Sequence, residues 1–190
     1  MTQSSFFRAF ASKEALLLEL VRRMFGGQFA LAEQHSGIED PVLLYAVETS
    51  LQLHIAELTE PLRELYVVGY SLPTTSAYIY QSMAGRLQSI FGKYMPDLEL
   101  KDFYEMEIAS ASIMRGVSWQ CRAMFISPWK RKFSRFLECS LKLYDVPQEQ
   151  RKGVIAAVLQ MDLRRMAEGI IQKTVAQAEE GFAALPALKK

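Results

Sequence analysis

The sequence predicts an all-α fold, and three observations carry that prediction. Apolar residues recur at every third or fourth position over most of the 190 residues, which places them on one face of a helix. Runs of Val, Ile and Thr with the alternating period of a strand are absent. Prolines stand at the starts of five apolar segments, where the first helical turn tolerates them: Pro41, Pro61, Pro73, Pro128 and Pro147.

The first long helix is predicted from Lys13 to about Gln34. Ser12 is a suitable N-cap, because its hydroxyl can accept a hydrogen bond from a free amide of the first turn. Gly26-Gly27 interrupts the helix and indicates either a hinge or a kink at a close helix crossing. The apolar stripe of this helix consists of Leu17, Leu20, Val21, Met24 and Phe25.

The prolines then divide the rest of the chain into helices. Asp40 caps a helix that begins at Pro41 and continues to about Thr59. A short helix begins at Pro61, and the next begins at Pro73 and ends before Pro96. Three more are predicted over residues 100–125, 128–144 and 148–182, the last of them unusually long.

Composition excludes several classes of protein. The 22 basic and 21 acidic residues nearly cancel, which argues against a protein that holds nucleic acid by bulk charge. No run of eighteen apolar residues and no cleavable leader are present, so we expect a soluble, cytoplasmic protein without a membrane partner. Cys121 and Cys139 lie in apolar contexts without metal-ligand spacing, and we expect both thiols in the core, as suits a reducing compartment.

Catalytic motifs are also missing from the sequence. There is no Gly-x-Ser-x-Gly, no phosphate-binding glycine loop and no His-Glu-x-x-His. The two histidines, His35 and His54, are too few for a zinc motif with the cysteines. We therefore expect a protein that is not an enzyme and that uses no cofactor and no metal.

The first seventeen residues carry the most specific signal. Phe6, Phe7 and Phe10 lie at helical spacing, and a Ser-Lys-Glu step at Ser12 then starts a new helix. This stretch resembles the end of the DNA-binding head in the tetracycline-repressor (TetR) family of transcriptional regulators. The positions that fit the family pattern are Ser4, Ser5, Phe6, Arg8, Phe10, Ser12, Lys13, Glu14 and Leu16, whereas Phe7 replaces the usual Tyr and Ala9 the usual His or Tyr.

The resemblance implies two parts and a set of partners. Residues 1–35 are expected to be the remnant of a helix-turn-helix head (its recognition helix and the connecting helix), and residues 36–190 the effector-binding and dimerisation domain. The family's first two head helices have no counterpart, so we expect this chain to bind operator DNA poorly unless the native head is complete. The resemblance places the DNA contacts on Ser4, Ser5, Phe7, Arg8 and Lys13.

An effector pocket is predicted in the middle of the chain. The segment from Tyr66 to Trp129 is rich in Tyr, Met, Phe and Trp, the residue types that line small-molecule pockets. The same residues, however, could simply fill the core. The predicted walls are Tyr66, Tyr70, Tyr78, Met83, Phe103, Met106, Met114 and Trp119, and the predicted polar anchors are His54, Glu107 and Ser110, with Gln81 and Arg115 as further candidates.

Glu107 shares a helical face with apolar residues, so its carboxylate needs a partner. Arg115, a ligand and solvent at a pocket mouth are the alternatives. The effector itself is expected to be small and lipophilic, because methionines adapt to varied shapes.

The C-terminal helices predict self-association. The helix from Pro147 carries an apolar stripe wider than one neighbour covers, and TetR-like proteins pair through a four-helix bundle of their last helices. We expect a homodimer through the helices that begin near Pro128 and Pro147. On the helix that begins near Pro128, the predicted solvated face consists of Lys130, Arg131, Lys132 and Arg135. The residues predicted to point inward are Trp129, Phe133, Phe136 and Leu137.

The sequence thus predicts a ligand-responsive transcriptional regulator, expected to be a repressor. Two alternatives stay open. The chain could be an all-helical dimeric interaction or adaptor domain without a small-molecule effector. It could also be a lipid-binding helical protein that uses the basic, aromatic segment 129–136 on a membrane surface.

Overall fold

The computed structural model describes residues 12–22, 38–119 and 129–183, with the side chains of Trp119 and of residues 177–183 left out. Within those ranges the fold is all-helical and contains no strand. Residues 13–22 are helical and are called α1. The others are α2 (Pro41–Leu58), α3 (Glu60–Gly69), α4 (Pro73–Phe91) with a 3-10 turn at Gly92–Tyr94, α5 (Leu100–Trp119), α6 (Trp129–Leu143), α7 (Gln148–Gln160) and α8 (Leu163–Ala183).

Three of the predicted helix starts are confirmed by side-chain caps, whereas the start predicted at Pro128 lies outside the described residues. The Ser12 hydroxyl accepts the Ala15 amide at 3.0 Å, and Asp40 Oδ1 accepts the Val42 amide at 3.0 Å. Thr59 Oγ1 caps α3 in the same way. A proline lies in the first turn of α2, α3 and α4. Proline is tolerated there because an amide in the first turn has no acceptor within the helix.

Helix α2 is the centre of the molecule. It packs against each of α3, α4, α5, α6, α7 and α8. A helix with neighbours on most sides is largely buried, so most of its polar residues cannot reach solvent. Five polar side chains of α2 are consequently buried, and each needs a partner inside the protein: Glu48, Thr49, Ser50, Gln52 and His54.

Helix α1 lies against α3 and α4. Its Val21 is 2% exposed, and a Cβ added to Gly69 at the end of α3 would come within 3.3 Å of Val21 Cγ2. The Arg22 guanidinium sits over the Tyr78 ring of α4, 5.2 Å from its centroid, and the Thr74 hydroxyl donates to Glu14. The predicted continuation of this helix and the Gly26-Gly27 break lie outside the described residues.

The single long helix predicted over 148–182 is wrong, because the chain breaks at Met161 and Asp162. Met161 has the extended backbone angles φ −82° and ψ 145°. Asp162 Oδ1 accepts the Arg165 amide at 3.2 Å, so this residue starts a new helix instead of continuing the old one. The break turns α8 back onto α2, where Leu163 and Ala167 are buried.

Three other expectations are corrected. Trp129 is 45% exposed because it is the first residue of α6 and lies beside the end of α2. The Lys132 side chain is only 10% exposed, since its ammonium forms an ion pair with Glu57. Cys139 is an exposed free thiol on α6 rather than a core residue, and Cys121 lies outside the described ranges.

The inward positions of Phe133, Phe136 and Leu137 are confirmed by their burial. Among the described helices, none has an apolar stretch long enough to cross a bilayer.

Candidate functional site

A small polar cavity lies where α2, α3, α4 and α5 meet. Its volume is about 20 Å³, which is room for one water molecule. Two helix faces form most of the wall, one from α2 and one from α5, and the end of α3 and the middle of α4 close it. The lining residues are Tyr45, Thr49, Gln52, Tyr70, Met83, Glu107, Ser110, Ala111 and Met114.

Glu107 is the chemically unusual residue of this cavity. Its side chain comes from α5 and the residue is 5% exposed. Burial raises the pKa of its carboxyl to about 8, because the charged form loses its hydration, and hydrogen bonds from Tyr144 and Ser110 offset this only in part. The Tyr144 hydroxyl donates to Glu107 Oε2 at 3.4 Å. No Lys or Arg of the described residues pairs with this carboxyl, so it is mainly protonated at neutral pH.

Hydroxyl groups surround the carboxyl. The Tyr45 hydroxyl and Ser110 Oγ lie 3.3 Å apart in a buried hydrogen bond, and the Tyr70 hydroxyl donates to Gln52 Oε1 at 3.1 Å. Burial raises the pKa of both tyrosines, so their phenols stay protonated and remain hydrogen-bond donors.

Aromatic packing fixes the positions of two of these phenols. The Phe91 ring stacks on the Tyr144 ring with centroids 4.3 Å apart, and the Tyr45 ring meets Phe91 edge-on at 5.1 Å. All three side chains are buried. Since the rings cannot rotate freely in such a cluster, the hydroxyls of Tyr45 and Tyr144 are held beside Glu107 and Ser110.

The structure brings five of the predicted pocket residues together at this cavity: Tyr70, Met83, Glu107, Ser110 and Met114. The others lie elsewhere. Tyr66 and Phe103 are buried in the core, and Tyr78 and Met106 are half-buried against it. His54 lines a separate groove at the C-terminal end of α2.

Several predicted residues do not contribute as expected or cannot be placed. Arg115 and Gln81 are exposed, so neither is a buried anchor and Arg115 is not the partner of Glu107. Lys13 is exposed in the first turn of α1. The predicted DNA contacts Ser4, Ser5, Phe7 and Arg8 lie outside the described residues, as does the side chain of Trp119.

Sequence reasoning missed the contribution of α2. Tyr45, Thr49 and Gln52 are spaced by four and three residues, so they share one helical face within an otherwise apolar segment. This polar stripe was the available signal for the second wall of the cavity. Tyr144 gave no such signal, because its contact with Glu107 joins positions 37 residues apart.

The arrangement can hold one polar group in an enclosed site lined by donors and one titratable carboxyl. The described residues contain no group of His, Cys, Asp and Glu arranged to bind a metal ion. No family model, no curated protein and no solved structure matches this chain.

Proposed function

We propose that this chain is the effector-binding body of a ligand-responsive transcriptional regulator that resembles the TetR family. The observation that carries the proposal is the Glu107 carboxyl, which is buried without a cationic partner in a cavity between four helices. A buried titratable group with a strongly shifted pKa is a marker of functional sites. The resemblance at residues 4–17 supplies the class of regulator.

The effector of this proposal is small and lipophilic with one polar group. The cavity of about 20 Å³ is far below the several hundred Å³ of typical ligand pockets, so an effector has to open it. Met83 and Met114 line the cavity, and their unbranched side chains can change rotamer at low cost. Glu107 and the hydroxyls of Tyr45 and Ser110 then bind the polar group of the effector.

A route from the cavity to the head supports the regulatory part of the proposal. Tyr70, which lines the cavity, is the C-cap residue of α3 and directly follows Gly69. Gly69 faces Val21 of α1 so closely that an added Cβ would come within 3.3 Å of Val21 Cγ2. If an effector displaces Tyr70, the end of α3 moves against α1, the helix that connects to the head in TetR-like regulators.

A thermal-shift screen with lipophilic cations, acyl compounds and drugs tests effector binding. A bound ligand raises the melting temperature by mass action. Ala111→Met fills the cavity from a lining position, whereas Ala109→Met is the matched control on the exposed side of the same helix. Hits should stabilise the wild type and the control but not Ala111→Met. If no compound shifts the melting temperature, the adaptor-domain alternative is favoured.

Two further measurements test the partners. A gel-shift assay with the DNA upstream of the gene tests operator binding, and a sequence-specific shift would support the regulator assignment. Size-exclusion chromatography with light scattering should give a dimer mass, because we assign dimerisation to the helices α6 to α8. A monomer mass at micromolar concentration would count against the family assignment.

A further inference from the structure

A second and much larger groove lies at the C-terminal end of α2. Its volume is about 410 Å³, within the range of small-molecule sites. The C-terminal end of α2, the first turn of α6 and the junction between α7 and α8 form its walls. The lining includes polar, aromatic and cationic side chains, which are His54, Trp129, Lys130 and Arg164. Leu159 and Met161 add apolar surface.

His54 is buried in this groove without a hydrogen bond to its Nε2. The residue is 7% exposed, and Nε2 is itself shielded from solvent and has no hydrogen-bond partner among the described residues. Its ring stacks on Phe133 at 4.3 Å and meets the Trp129 ring at 5.7 Å, which fixes its orientation. Burial lowers the pKa of His54, so the imidazole is neutral at pH 7. A buried polar atom without a protein partner is uncommon and calls for an explanation.

The charges around the groove favour an anion. Of its two acids, Glu57 pairs with Lys132, whereas Asp162 keeps its charge while Oδ1 accepts an amide at the start of α8. Lys130 has no carboxylate partner among the described residues and lies over the Trp129 ring, 5.6 Å from its centroid. Within the same part of the chain Arg164 pairs only with Glu168, which is on the surface of the same helix, so it can turn toward a stronger partner.

We propose that this groove is a binding site for a small planar aromatic carboxylate. The aromatic ring packs between the exposed face of Trp129 and the apolar side chains of the α7–α8 junction. The carboxylate faces the cations of Lys130 and Arg164, and a shift of the side chains that cover His54 lets it accept a hydrogen bond from the buried Nε2–H. This tautomer places the single proton of the neutral imidazole on the nitrogen that has no partner. The site is independent of the cavity around Glu107.

Calorimetric titration of the full chain at pH 7 tests the proposal with three probes of one shape. The probes are 1-naphthoate, 1-naphthylmethylammonium and 1-naphthalenemethanol. We expect 1-naphthoate to bind with a Kd of about 1 mM or below, as suits a ligand of this size. The alcohol should bind more weakly and the ammonium ion weakest, because only the carboxylate matches the unengaged cations.

Four variants locate the binding site. Lys130→Gln should weaken naphthoate binding about threefold, the effect of one exposed charge, whereas Arg131→Gln on the adjacent exposed position should change nothing. His54→Phe keeps the stacked ring and should weaken binding about tenfold or more by removing the charge-assisted hydrogen bond. Gln160→Trp changes an exposed lining residue, so the fold is preserved while the added ring blocks the groove and abolishes binding.

The proposal is overturned by any of three results. One is the absence of naphthoate binding to the wild type at millimolar concentration. Another is equal affinity for the carboxylate and the ammonium probe. The third is unchanged naphthoate binding in Gln160→Trp, which remains informative even if His54→Phe fails to fold. None of these results bears on ligands of the Glu107 cavity.

Discussion

Replacing Glu107 by glutamine is expected to stabilise the protein, and to do so increasingly as the pH rises. The glutamine side chain has nearly the same shape and can still bond to Tyr144 and Ser110, but it cannot ionise. In the wild type the folded state holds the Glu107 proton up to a pKa of about 8, whereas the unfolded chain loses it near the ordinary value of 4.5. The folded state therefore binds this proton more tightly than the unfolded state.

The magnitude follows from that difference in pKa. Below about pH 4.5 both states are protonated, and the proton makes no difference to the free energy of unfolding. Between pH 4.5 and 8 only the folded state keeps it, so stability falls as the pH rises. At about 1.4 kcal/mol for each pKa unit, the full loss above pH 8 is about 5 kcal/mol. The loss between pH 6 and pH 8.5 is about 2–3 kcal/mol.

Urea denaturation at pH 6, 7 and 8.5 measures this effect as a difference between variants. The free energy of unfolding of Glu107→Gln minus that of the wild type should increase by about 2–3 kcal/mol over this range. Glu105→Gln is the matched control, because Glu105 is exposed on the same helix and its substitution should leave the wild-type pH dependence intact.

The reasoning would be refuted by a difference between Glu107→Gln and the wild type that does not change with pH. Such a result means that the carboxyl is ionised in the folded protein at pH 6. It would then require a cation or a water-filled path to the cavity, and the site would lose its distinguishing property.

Three other substitutions have definite expected outcomes. Tyr144→Phe removes the hydrogen bond that lowers the pKa of Glu107, so the pH-dependent loss should extend to higher pH, with an added cost of about 1 kcal/mol in urea denaturation. Asp162→Ala removes the cap of α8 and should cost about 1 kcal/mol by the same assay; no measurable loss would mean that packing alone sets the α7–α8 break. Val175→Asp, at a position 50% exposed on α8, should shift the proposed dimer toward monomer in light scattering, while the neighbouring Thr174→Asp should not. Equal masses for the two variants would exclude this face of α8 from the dimer.

The helix starts could be predicted from the sequence because their signals are local. Asp40 and Thr59 each bond to an amide within three residues, and the prolines that follow cannot sit deep in a helix. Such features act over one turn, so they are visible before any tertiary contact is known. The break at Asp162 has a local signal of the same kind, but an apolar stripe on both sides of it predicted one continuous helix.

Burial was harder to predict, since it depends on residues far apart in the chain. Lys132 is one of four basic residues in a short segment, and nothing local distinguishes it from Arg131. Its partner Glu57 lies 75 residues earlier, on a different helix. Tyr144 in the same way becomes part of the site only because α6 packs on α5.

The candidate site could be predicted on α5 but not on α2, for a related reason. A polar residue within an apolar stripe stands out when the rest of its helix is charged, as at Glu107. Helix α2 has partners on most sides, so its polar residues do not all lie on one face. Because there are several of them, the face shared by Tyr45, Thr49 and Gln52 cannot be recognised from the sequence. Amphipathic periodicity identifies the inner face of a surface helix, but it cannot rank positions on a helix that is largely buried.

Burial leaves both Glu107 and His54 uncharged, although it shifts their pKa values in opposite directions. It raises the pKa of Glu107, so the carboxyl keeps its proton, and it lowers the pKa of His54, so the imidazole loses one. Each is a neutral polar group beside a space, and apolar side chains of similar size would avoid the desolvation cost at both positions. An interior selected for stability alone has no need of either group. The two proposed ligands would supply what the protein does not, a polar group at Glu107 on α5 and an acceptor at His54 on α2.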